Sequence, residues 1–538
     1  MFASYRRNTC FQFEPGQYHF YQENTSKRRF PVSNSDRADF LNIALLLENM
    51  SHISIIGEGA EFIFHGEMTP IAVSECSEIH IEGLSIDFAV PLSAEARIMH
   101  VEPGAVEILL KRESFPYYIA DNTLIFERGF GQEAPLFGAL EFDAGTNKVR
   151  AGAGDTFPRV RAYDAGTDMV RLEGEFTVLP KVGNILVLRH GSRVHPGALI
   201  QYSEGISFKN IMVHQTGGLG FLFQFNKDIS VSGISFEANY ARGFSVLSGH
   251  DDGLHFSNNR GTVTINGCSF RGLMDDPVNV HGTGACVLKK IDGDTLLGEF
   301  CHPQSTGFPR WAVSGDRVAF IRPNNRKCYA EAEVLEYRLL NDTEFELTLK
   351  SPLPLEMCEG DAMENLTNTP SLICRDNYFG SVRARGLLVT TKQPVLIENN
   401  IFESSGSAIL LSGDMKEWYE SGTCEDVIIR HNQFLNCCSC AYQFCRAVLH
   451  VEPGVDKGQE AVVHHNIRIE DNLFLLYSPM LLYAENAGDI TLQGNSIYLQ
   501  KEGQNAEIVL QESRNVSVRD NKLSSGSRLL IREIEGDG

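Results

Sequence analysis

The 538-residue chain contains no apolar run of about 18 residues, the length a helix needs to cross a bilayer, so no membrane span is expected. Its first residues, Met1-Phe-Ala-Ser-Tyr-Arg-Arg7, lack the apolar core of a signal peptide. That fits a cytoplasmic protein or a chain whose leader has been removed. Basic residues are in short supply: 47 Lys and Arg stand against 69 Asp and Glu, a formal net charge of −22. Such a surface repels phosphate backbones, which argues against a nucleic-acid partner and leaves neutral sugars open. Cysteine is odd in number, at 13, and Cys437, Cys438 and Cys440 are too crowded for a disulfide framework. No two Cys-x-x-Cys pairs stand at zinc spacing. Reduced, mostly buried thiols are expected, with no cofactor and no metal. Tryptophan occurs only at Trp311 and Trp418.

What the chain has is a repeat. Short apolar–variable–apolar–polar strands begin at Ile71, Ala198, Phe221, Leu254, Val278, Leu387, Ile409, Tyr442, Leu481 and Ile508. A second strand follows each after a turn, as at Ile79, Ile206, Ile229, Val263, Val395, Val427, Ile467, Ile490 and Val516. Many coils then close on Asn-x-apolar, at Asn377, Asn400, Asn432, Asn472, Asn495 and Asn521. The tightest spacings are 22 to 24 residues. Short strands and turns at that period describe a right-handed parallel β-helix, with alternate side chains pointing into the cylinder. A β-sandwich would need the spacing to be coincidental, and a propeller needs a longer period.

The repeat is interrupted twice, at 88–195 and 284–368, by strand-like pieces between Gly/Asp turns. Both read as small inserted β-barrel-like domains. Residues 1–87 are then a cap and first coils, 196–283 and 369–538 the remaining coils.

The alignment of coils places acidic residues. Asp252 lies two residues before Leu254, Asp276 two before Val278, and Arg385 two before Leu387. Stacked strands lie about 4.8 Å apart, so the two carboxylates should be neighbours with Arg385 beside them. Such a pair repels, which raises at least one pKa and requires a compensating group. Asp275 should diverge from Asp276 to another side of a small pocket. His255 and Asn279 are equivalent outward positions on adjacent coils, and Gln224, His281, Thr390 and Ser412 form a second outward ladder. Clustered carboxylates beside a polar face suit glycoside hydrolysis. The stacked pair would hold the attacking water and Asp275 would be the acid. Two plainer readings stand beside this: Asp251-Asp252-Gly253 as a turn, or the carboxylates as Ca²⁺ ligands. Trp418 reads equally as a sugar-stacking ring or a loop anchor.

Ser248-Gly-His-Asp-Asp-Gly-Leu-His-Phe-Ser257, Leu273-Met-Asp-Asp-Pro-Val-Asn-Val-His-Gly-Thr283 and Ala384-Arg-Gly-Leu-Leu-Val-Thr-Thr391 resemble glycoside hydrolase family 110. So do Gly217-Gly-Leu-Gly-Phe-Leu-Phe-Gln224, Glu364-Asn-Leu-Thr367 and the Trp418 loop. The likeness runs from about residue 12 into the C-terminal coils. It implies a β-helix with inserted barrels and an exo-acting, inverting α-1,3-galactosidase. The substrate would be a glycan with terminal α-galactose, such as the blood group B antigen. It implies Asp252, Asp275 and Asp276 as catalytic residues. Gln224, His255, Asn279, His281, Glu364, Arg383, Arg385, Thr390 and Trp418 would be substrate-binding. It also implies a secreted or periplasmic setting; a homodimer is compatible with the fold. The sequence departs from the family pattern at Asp251, where a small residue is expected, which leaves open whether Asp251 or Asp252 reaches the pocket. A polygalacturonase-like hydrolase or a non-catalytic, adhesin-like glycan binder are the competing classes. The former usually carries an Arg-x-Lys element, and none stands near these acids.

Overall fold

A computed structural model describes residues 6–534 apart from 156–159, 177, 460 and 502. It is a parallel β-helix. One long sheet contains Phe221–Gln224, Leu254–Ser257 and Val278–Thr283 in consecutive parallel pairing. Leu254 pairs with Val278, and Val278 with Leu387. Only two short 3-10 turns, Gln22–Asn24 and Tyr240–Arg242, interrupt the strands and loops among the described residues.

The inward positions form a single core along the axis. Phe236, Phe270, Phe379, Phe402, Phe434 and Phe474 stack one per coil, with centroids 4.4–5.8 Å apart. The closing asparagines form the expected ladder. Asn400 donates its backbone and side-chain N–H to Asn432 Oδ1 at 2.9 and 3.0 Å, and Asn432 repeats this on Asn472 at 2.9 and 3.1 Å. Each buried amide thereby finds a partner that the turn backbone alone does not supply.

Two coils differ from the sequence reading. Tyr442 is not on a strand; the true partner of Ile409 is Leu449, on Leu449–Glu452. Apolar alternation in the loop at 442–445 mimics a strand, but that loop packs against the first insertion. The next coil aligns on Leu482 rather than Leu481, because a bulge follows Met480. The N-terminal stretch also does more than cap. Arg7–Gln12 and Gly16–Tyr21 pair in parallel with Ser51–His65 as a first coil.

The first insertion is an antiparallel nine-stranded sheet from Ala94–Glu102 to Ile185–His190. It curls until Ala162 N–H donates to the Asn122 carbonyl at 2.8 Å. Its core includes Phe126, Phe142 and Leu186 and continues into Phe244, Leu247 and Met274 of the coil loops. The second insertion is a closed six-stranded barrel from Ala285–Lys290 to Ala362–Asn365. Trp311 is buried at its centre, with Nε1–H donating to the Thr283 carbonyl at 2.9 Å. Of the cysteines, six are buried, four half-buried and three exposed, and all are free thiols.

Candidate active site

The site forms where successive coils turn into their strands. Gly220 N–H donates to the Asp252 carbonyl at 2.7 Å, and Gly253 N–H to the Asp276 carbonyl at 2.9 Å. Asp252 and Asp276 therefore hold the same place in stacked coils. The approach is close: a Cβ on Gly253 would meet the Pro277 carbonyl oxygen at 2.7 Å, so glycine lets these turns stack.

Each aspartate has its own surroundings. Asp276 is buried and receives Arg385 N and Nε on Oδ1 at 3.0 and 2.9 Å, and Nε and Nη2 on Oδ2 at 3.0 and 2.6 Å. Burial pushes this carboxyl up to about 7, with Arg385 pulling it down and Asp275 adding to the rise. Three N–H donors on two oxygens are the geometry of a carboxylate, which this group becomes as pH rises past about 7. Asp252 receives no such fork. Its Oδ2 meets His255 Nδ1 at 2.7 Å, and its Oδ1 lies 3.8 Å from Arg193. Burial and then the Asp275 charge hold Asp252 well above the usual carboxylate range, with Arg193 opposing. Asp275 is the most open of the three, its side chain 22% exposed, between Arg193 at 3.7 Å and Arg383 at 3.8 Å.

Asp251 turns away. It bonds Arg189 at 3.0 Å and His250 at 2.7 Å, with Arg193 at 3.3 Å. Burial alone would raise its carboxyl, but Arg193, His250 and Arg189 hold it well below the usual range. It is a structural anion for these cations, and Asp252 is the one that reaches the pocket.

That pocket has a free volume of about 140 Å³ and is lined by Asp252, Asp275, Asp276, His255, Asn279 and Arg385 together with Asn34, Ser412, Trp418 and Glu420. Among the described residues, Asn279 Oδ1 has no hydrogen-bond partner. It is a free acceptor for a hydroxyl. No group of three His, Cys, Asp or Glu among the described residues has metal-holding geometry.

The sequence matches the profile of GLAA-B beta-barrel domain I over residues 94–186 and of domain II over 295–363. Alpha-1,3-galactosidase B of Bacteroides thetaiotaomicron is 35% identical over 529 residues, covering 95% of this chain and 85% of that protein. Alpha-1,3-galactosidase A of Bacteroides fragilis strain YCH46 is 34% identical over 495 residues, 90% of this chain and 80% of that protein. Alpha-1,3-galactosidase B of Akkermansia muciniphila is 32% identical over 516 residues, 94% and 64% respectively.

The chain belongs to the α-1,3-galactosidase family.

Several residues expected to touch substrate in this α-1,3-galactosidase-family pocket lie elsewhere. Gln224 is fully buried under the N-terminal segment: it accepts from Ser33 N at 3.0 Å and donates to the Pro31 carbonyl at 2.7 Å. Thr390 is likewise covered, its hydroxyl on the Val280 and Ser421 carbonyls at 3.2 and 3.1 Å. Glu364 is buried on a barrel strand, where Arg326 and Lys392 oppose a rise due to burial. His281 stands behind His255, Nε2 to Nε2 at 2.8 Å. Arg383 lies outside the pocket, gripping Asp155 at 2.7 and 2.8 Å while facing Asp275. His255, Asn279, Arg385 and Trp418 do line it. Trp418 is 45% exposed, with its ring 4.7 Å from that of His302.

Three residues that line the pocket are absent from the sequence reading. Arg193 follows the last strand of the first insertion and faces Asp251, Asp252 and Asp275 together. Asn34 comes from the N-terminal segment and donates to Glu420 Oε1 at 2.7 Å. Glu420 comes from the two-residue strand Glu420–Ser421, which follows Ile409–Ser412 and pairs with Thr283. None carries the coil repeat, so no register signal marks them.

Proposed function

We propose that this chain is an exo-acting, inverting α-1,3-galactosidase that removes terminal α-1,3-linked galactose from glycans such as the blood group B antigen. The observation that carries the reading is the placement of three differently paired aspartates around a pocket of about 140 Å³ in a chain of this family. So small a space suits one terminal sugar, which is what exo action needs.

In this mechanism Asp275, the open carboxyl, acts in its protonated form and passes that proton to the leaving oxygen, whereas its ionised form is the one that raises Asp252 in the empty site. Asp252 and Asp276 hold the attacking water between them. Asp276, ionised and pinned by Arg385, takes its proton; a base tuned near neutrality is efficient. Asp252, held protonated, orients the water through its second oxygen. Asn279 and Glu420 offer acceptors to sugar hydroxyls. The same reading carries a secreted or periplasmic setting, which fractionation of the source cells would check.

The test is incubation with linear and fucosylated α-1,3-galactosides, followed by proton NMR of the released sugar. β-Galactose should appear first and then mutarotate. Appearance of α-galactose first would refute inversion, and no galactose from any of them would refute the activity.

A further inference from the structure

We infer that the leaving-group side of the substrate is a saccharide bound in a second cavity on the first insertion, with Phe137 as its stacking platform. This rests on the proposed hydrolysis and on Asp275 as its acid. It assigns a binding site that the pocket itself does not contain.

The pocket of about 140 Å³ opens past Asp275 and Arg193 into a larger cavity of about 680 Å³, and those two residues line both. The acid must stand next to the oxygen that leaves. A carboxyl on the boundary between two spaces therefore fixes which lies on each side of the scissile bond. Galactose fills the small, enclosed space; what it was attached to must continue into the larger one.

The larger cavity is built for a sugar. Its wall is the strand Gln132–Asp143, which presents Phe137, a ring 48% exposed. The exposed ring lines the cavity, and a pyranose can cover such a ring with its C–H face. The Arg189 guanidinium lies 5.0 Å from the ring centroid and is itself fixed by Asp251 at 3.0 Å. The ring is thus held by a fixed neighbour before any ligand arrives. Asp36 and Gln304 line the same cavity, joined at 2.6 Å. Asp36 also accepts from Arg193 N at 3.1 Å. Carboxylate, amide and guanidinium groups sharing a cavity with an aromatic ring can satisfy the hydroxyls of a sugar while its apolar face stacks. On this geometry the first insertion, and not Trp418, selects the leaving saccharide: Trp418 lines the galactose side.

The experiment compares Phe137→Ala and Phe137→Trp with the unaltered enzyme on two substrates. Galactosyl-α-1,3-galactose fills both cavities; α-galactosyl fluoride fills only the pocket. Phe137→Ala should lose about tenfold in kcat/KM on the disaccharide and no more than about twofold on the fluoride, the scale of one lost aromatic contact. Phe137→Trp should restore the disaccharide rate. Equal losses on both substrates, or none on the disaccharide, would overturn the subsite while leaving the hydrolase reading intact. If the unaltered enzyme turns over neither substrate, the hydrolase reading falls and the subsite with it.

Discussion

The rings of His255 and His281 meet Nε2 to Nε2 at 2.8 Å, so one proton must lie between them. His281 Nδ1 must donate to the Gly282 carbonyl, 2.8 Å away, because a carbonyl only accepts. Asp252 Oδ2 and His255 Nδ1, 2.7 Å apart, need a hydrogen as well. Three contacts need three hydrogens. A carboxylate and two neutral imidazoles carry two. The chain therefore holds one extra proton. Burial lowers the His255 pKa and His281 lowers it further, while burial and Asp275 raise that of Asp252, so the proton rests on Asp252.

The expected signature is a histidine ring proton resonating well downfield of the amide envelope, since both rings are buried from exchange. His281→Asn should abolish it. A wild-type spectrum without such a signal would remove the shared-proton chain.

Asp275→Asn should reduce turnover by about 10²–10⁴-fold, the usual contribution of a general acid, while galactoside binding persists. It also removes the negative charge that pushes Asp252 upward. In a carboxyl ¹³C titration, Asp252 should titrate at lower pH in this variant. An unchanged or higher Asp252 titration would contradict the electrostatic account.

The acid limb of kcat/KM should lie near pH 7, where burial has placed Asp276. A base must be deprotonated, so activity is lost as pH falls through that value. A limb at the ordinary aspartate pH would rule Asp276 out as the base.

Arg385→Met should cost about 3–5 kcal/mol, because it strands a buried carboxylate. The double variant Arg385→Met with Asp276→Asn should regain most of that stability without regaining activity. Denaturant titration of both settles the matter: equal losses would mean the pair matters for packing, not charge.

His464 is buried, and burial first and Arg326 second lower its pKa to about 3. An unfolded histidine titrates at 6.5, so the unfolded state binds more protons below that pH. Its contribution is fully present above 6.5 and is lost as pH falls toward 3, at about 1.4 kcal/mol per pH unit. His464→Asn, which keeps an acceptor for Cys424 N–H, should flatten the acid side of the melting-temperature profile. An unaltered slope would show that His464 is not the group responsible.

Sequence register carried the part of the site that repeats. Asp252, Asp276 and Arg385 share one coil position, and position in a coil is position in space. Outwardness on a strand was a weaker guide. Gln224 and Thr390 do face outward, but the segment around Ser33 and the loop at Ser421 lie over them. Such coverings come from chain outside the coil, 191 residues away for Ser33 and 31 for Ser421, and leave no periodic trace. Arg193 and Glu420 were hidden for the same reason. Tyr442 imitated a strand because alternation alone does not reveal whether a neighbouring coil stands ready to pair.

The asparagine ladder has a direction. From Asn377 to Asn495 each side-chain amide donates to that of the next coil, so that from Asn400 to Asn521 each accepts from the one before. Aligned amide dipoles polarise one another, so the row behaves as one cooperative array rather than five separate bonds. The cylinder is therefore electrically polar along its length through its side chains, much as an α-helix is through its backbone. A break in the middle, at Asn432, divides that array in two. A break at Asn521 only shortens it.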